Sequence, residues 1–132
     1  MKLPKALALA LLLLASISVA SADTPLTAMR HILVYNGAIG HCALVSVYIG
    51  SRPSQWTLVT EPTGAPRFVR AFASERFHFV GDFAVKVRAQ ISPDASCSKG
   101  VIADVYSPVA AGVDNHSVTI KESGTSFVVM IK

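Results

Sequence analysis

Beyond its N-terminal segment, this 132-residue chain lacks helical periodicity. Apolar residues do not recur at the three-and-four spacing of an amphipathic helix, so a mainly helical domain is excluded. No later run is long and apolar enough to cross a bilayer. There is no internal repeat, low-complexity tract or linker. Cysteine is scarce, with only Cys42 and Cys97, and the four histidines (His31, His41, His78, His116) stand at no metal-ligand spacing. A soft nitrogen and sulfur zinc site therefore has too few ligands, and no metal or other cofactor is expected.

Catalytic patterns are missing too. No G-x-S-x-G elbow occurs, and Ser123 falls in the turn-like "ESGTS". Asp104, in the alternating "VIADVY", reads as a partly buried carboxylate, but no second acid is spaced to form a glycosidase pair. His41 directly precedes Cys42, and neighbours in a strand point to opposite faces, so His41 is badly placed to activate that thiol. The expectation is a protein that is not an enzyme, with a small secreted hydrolase as the least favoured alternative.

What is present starts with "MKLPKALALALLLLASISVASA". Lys2 and Lys5 form a positive n-region, Ala6 to Ala15 an apolar core, and Ala20-Ser21-Ala22 a small-residue cleavage site. This is the pattern of a secretory signal peptide over residues 1–22, leaving residues 23–132 as a single domain. Cleavage removes two lysines and takes the formal charge from +4 to +2. So mild a charge argues for neither nucleic-acid nor membrane binding, and no nucleic-acid partner or membrane insertion is expected after cleavage. In an oxidising compartment two cysteines predict one disulfide, Cys42 to Cys97. It would close a loop of about 56 residues, which the chain-entropy model values at about 4 kcal/mol.

Short alternating apolar runs, bounded by Gly, Pro, Asn, Asp and Ser, predict strands over Arg30–Tyr35, Cys42–Ile49, Gln55–Thr60, Arg67–Ala73, Arg76–Val80, Ala84–Ile91, Val101–Tyr106, Ser117–Lys121 and Ser126–Ile131. Such spacing predicts an all-β, antiparallel sandwich or small barrel. In the last hairpin a loop over Glu122–Thr125 would pair Ile120 with Phe127 and Val118 with Val129. In "RFHFVGDFAVKVRAQI" a three-residue loop, Gly81–Phe83, would set Phe79 against Val85 and Phe77 against Val87. Arg76, His78, Lys86 and Arg88 would then share the outer face as a candidate binding face for an acidic partner or other anion. The plainer reading is a solvated strand face that discourages edge-to-edge aggregation, with Glu75 and Asp82 near enough to neutralise part of it.

Tyr35, Tyr48, Trp56 and Tyr106 are side chains of the kind that anchor interfaces, or that line the edge of a core. Asn115-His116-Ser117 is a glycosylation sequon, relevant in a eukaryotic source. "ILVYNG", "ALVSVYIGS" and "FAVKVRAQISPDASCSKGVI" together resemble the strand and cysteine pattern of the ToxB-like MAX effectors of plant-pathogenic fungi, over about half of the mature chain. The resemblance implies a small secreted β-sandwich, non-enzymatic, that binds host proteins as a virulence factor. The alternative is a bacterial periplasmic or surface module: an inhibitor, an adhesin or a pilus-type subunit.

Overall fold

The computed structural model describes residues 28–52, 55–81 and 83–132; the signal-peptide reading of residues 1–22 lies outside them. Among these residues the secondary structure is all strand: β1 (Met29–Asn36), β2 (Cys42–Arg52), β3 (Gln55–Leu58), β4 (Arg67–Val69), β5 (Ser74–Val80), β6 (Ala84–Ser92), β7 (Ala103–Tyr106), β8 (Ala110–Ala111), β9 (His116–Ser123) and β10 (Ser126–Ile131). Two sheets form. One runs β10-β9-β1-β5; the other runs β3-β2-β6-β7, with β4 also on β2 and β8 also on β6. All pairings are antiparallel except β1 with β9, which is parallel.

Alternation explains how the sheets meet. Ile32, Val34, Phe77, Phe79, Val118, Ile120 and Val129 of the four-stranded sheet are buried against Ala43, Val45, Val47, Val85, Val87, Ala89 and Ile91 of the six-stranded one. Bulky phenylalanines on one side face valines and alanines on the other, which lets the inner faces interdigitate. Each fully buried Val, Ile or Phe contributes about 1.5–3 kcal/mol of transfer free energy. The outward positions of β2 and β6 are Leu44, Ser46 and Tyr48, and Lys86, Arg88 and Gln90.

The Cys42–Cys97 disulfide is formed, with the Cα atoms 5.1 Å apart. Cys42 is fully buried although it occupies an outward position of β2. The segment carrying Cys97 covers it, and the Cys42 amide donates to the Asp94 carbonyl at 3.0 Å. Asp94 organises that segment: its carboxylate accepts from the Ser96 and Ser98 hydroxyls at 2.7 and 2.6 Å and from the Ser98 and Lys99 amides at 2.9 and 3.1 Å. These bonds, led by the Ser98 and Ser96 hydroxyls, hold its carboxyl well below the usual range.

Several sequence expectations are corrected. β5 and β6 do not pair: β5 lies on β1 and β6 on β2, so Val80 ends a strand of one sheet, Ala84 begins a strand of the other, and the expected Phe79–Val85 and Phe77–Val87 pairs are not made; Asp82 lies outside the described residues. Phe77, Phe79, Val85 and Val87 are still buried in one core cluster, but they enter it from two different sheets. The β9–β10 hairpin is tighter than expected. Ser123 pairs with Ser126, Ile120 with Val129 and Val118 with Ile131, a shift of two residues that keeps the same face inward. Gly124 makes this turn possible by adopting φ +62°.

The strand expected over Arg67–Ala73 stops at Val69. The chain turns through Arg70–Ala73, with Phe72 at φ 63°. Buried Asn36 enforces this turn. Its side chain donates to the His41 and Val69 carbonyls and accepts from the Ala38 amide, and its backbone exchanges bonds with Phe72 and Ala73. The two-residue β8 falls in a stretch that reads as loop from its sequence.

Candidate binding face

The outward side of the six-stranded sheet gathers aromatic and charged side chains from four strands. Register puts Tyr48 opposite Lys86, Arg88 opposite Tyr106, and Gly50 opposite Trp56. Glycine at position 50 suits this close approach: a Cβ there would sit 3.1 Å from the Trp56 ring, and the indole would have to shift by a few tenths of an ångström to admit it. The indole thus rests on bare backbone, and its outer side is left for other groups.

Lys86 stands between two rings, its Nζ 4.3 Å from the Trp56 centroid and 4.7 Å from that of Tyr106. Contacts of this kind are worth about 0.5–1 kcal/mol at exposed sites. Tyr48 and Tyr106 meet at 6.2 Å, tilted by 50°. Arg88 makes a two-pronged contact with Asp104, Nε to Oδ1 at 2.8 Å and Nη2 to Oδ2 at 2.5 Å, and its Nη1 donates to the Tyr48 hydroxyl at 3.3 Å. The Asp104 bond, followed by that from Tyr48, raises the Arg88 pKa further above its ordinary value, so the guanidinium is a permanent charge. The Arg88 hydrogen bonds lower Asp104 below the usual carboxylate range; slight desolvation opposes this and the Arg88 charge adds to it. Among the described residues, no carboxylate pairs with Lys86.

The expected face of Arg76, His78, Lys86 and Arg88 therefore divides. Lys86 and Arg88 are outward on the six-stranded sheet, whereas Arg76 and His78 are outward on the other sheet, opposite Leu33 and His31. Three of the four aromatics singled out from the sequence come together here; Tyr35 lies on the other sheet, opposite Ser74. Asp104 is exposed and ion-paired, not partly buried. Its partnership with Arg88 depends on β7 pairing with β6, which the alternating pattern of β7 does not specify.

The remaining candidates sit elsewhere. His41 packs edge-on against Phe127 at 5.0 Å and lies 3.2 Å from Glu122. Asn115 is exposed, and its Oδ1 accepts from the His31 amide at 2.9 Å. No group of three or more His, Cys, Asp or Glu among the described residues is placed to hold a metal. No helix among them is long and apolar enough to cross a membrane.

No protein-family model matches the chain, and no curated protein matches it. Two solved structures are similar in shape. The first, "NMR structure of the protein from Eubacterium rectale", is 9% identical with a TM-score of 0.45, covering 82% of this chain and 92% of its own. The second, "Trapped Toxin", is 13% identical with a TM-score of 0.45, covering 79% of this chain and 23% of its own. Likeness at this level fixes neither a family nor an activity.

Proposed function

We propose that the protein is a secreted, non-enzymatic binding domain that holds a protein partner on the outward face of its six-stranded sheet. The observation that carries this reading is the Trp56, Lys86 and Tyr106 stack, with Tyr48 and Arg88 beside it. Tryptophan, tyrosine and arginine are the residue types that dominate interface energetics, and here strands hold them rigidly. Little side-chain entropy would be lost on binding. The signal-like N-terminus and the disulfide support export into an oxidising compartment. The resemblance to ToxB-like MAX effectors supports a pathogen effector with a host protein as partner. A bacterial envelope module would use the same face against a periplasmic or surface protein.

The test is affinity capture with tagged mature protein from host tissue or envelope extract, run in parallel with two double variants. W56A/Y106A should lose the captured partner by more than about tenfold, as expected when hot-spot aromatics are truncated. R76S/H78S, on the other sheet, should retain it. Equal capture by W56A/Y106A and the unaltered protein would refute the proposed face.

A further inference from the structure

Resting on that reading of the face, we infer that the partner presents a single carboxylate side chain, within an extended and otherwise apolar peptide segment, to the Lys86 ammonium. Two observations carry this inference. Lys86 is a cation without a carboxylate partner among the described residues, held in place by rings on two sides. Lys86 is half-buried on the outward side of β6, so its ammonium stays accessible to solvent. A cation fixed in advance in this way loses little freedom when an anion arrives.

The second observation limits the ligand to one charge. Arg88, two residues along the same strand and on the same face, is already engaged by Asp104 in a two-pronged pair. A second ligand carboxylate would have to displace Asp104 or lie beside its negative charge. Arg88 keeps an uncommitted N–H on each of Nη1 and Nη2, suited to neutral acceptors such as peptide carbonyls. Tyr48, Trp56 and Tyr106 supply apolar surface for the residues flanking the carboxylate. Charge complementarity and apolar area together select an acidic residue with apolar neighbours over a run of acids.

Trp56 is the only tryptophan in the chain and therefore reports directly on this site. The probes are a terminally blocked Tyr-Val-Glu-Val-Tyr peptide, its Gln counterpart and a version with a second Glu, each titrated against the folded full-length mature protein by Trp56 fluorescence. The Glu peptide should bind about fivefold more tightly than the Gln peptide, in line with one well-placed surface ion pair. The second Glu should add nothing. K86M, which keeps the apolar stem, should bring the Glu peptide down to the affinity of the Gln peptide while leaving the Gln peptide unchanged. Equal binding of the Glu and Gln peptides, a preference that survives K86M, a further gain from the second Glu, or no binding at all would each overturn the inference. So would a response to inorganic phosphate or a sulfated disaccharide in place of the Glu peptide. Capture that depends on Trp56 and Tyr106, without any Glu preference, would overturn the carboxylate and leave the binding face standing.

Discussion

The two outward faces of this sandwich have similar ingredients and opposite organisation. Each carries cations and aromatic residues on a regular sheet. On the four-stranded sheet Arg76 lies across from Leu33 and Tyr35 across from Ser74, so neither register pair joins a cation to a ring, while His31 and His78 meet edge-on at 6.4 Å. No ion pair joins β1 to β5 among the described residues. On the six-stranded sheet Lys86 lies across from Tyr48 and Arg88 across from Tyr106, so charge and ring reinforce each other. Composition does not make a platform; register does, because cross-strand neighbours are the pairs that interact.

The largest expected effect tests whether both faces depend on a shared scaffold. Replacing Cys42 and Cys97 together by Ala should cost about 4 kcal/mol in urea unfolding, by the loop-closure argument, and should weaken both faces alike. Asn36→Ala comes next, removing three side-chain hydrogen bonds at a buried position. A loss of about 2–3 kcal/mol is expected, because the Ala38 amide and the His41 and Val69 carbonyls lose their partner. The same variant should free the Phe72 turn, readable as faster amide exchange at Phe72 and Ala73.

Smaller effects separate the faces. R88M should cost under about 1 kcal/mol in thermal unfolding, since its pair with Asp104 is partly exposed, whereas R76M should cost nothing measurable. The smallest effect is the pH dependence. Asp104 and Asp94 both have lowered carboxyl pKa values in the folded state. Their contribution is present above the ordinary carboxylate range and is lost as pH falls through the folded-state values, so stability declines on the acid side. D104N should make that acid decline shallower; unchanged acid unfolding would remove Asp104 from the explanation.

Alternation made the core legible. Ile32, Val34, Val45, Val47, Val85 and Val87 are inward as their period-two spacing predicts. The disulfide was equally legible from an even cysteine count. Pairing was not. Phe79 and Val85 look the same in sequence whether their strands are neighbours in one sheet or face each other across a core, because alternation decides which side is buried and not which sheet. A two-residue slip in β9–β10 likewise leaves every side chain on its own face, so only the Gly124 turn could choose between registers. The β1–β9 parallel pair and the Asn36 turn are set by residues distant in sequence, beyond the reach of local propensity. For the site, the aromatic residues could be named from sequence; that three of them share a face with Lys86 follows from the β3–β2–β6–β7 pairing.

The most direct test of the proposed binding face is to map chemical shifts on isotope-labelled protein as the captured partner is added. Perturbed residues should cluster at Tyr48, Trp56, Lys86, Arg88 and Tyr106, with Leu33, Arg76 and His78 unmoved. Perturbations centred on Arg76 and His78, with the Trp56 indole unchanged, would contradict it.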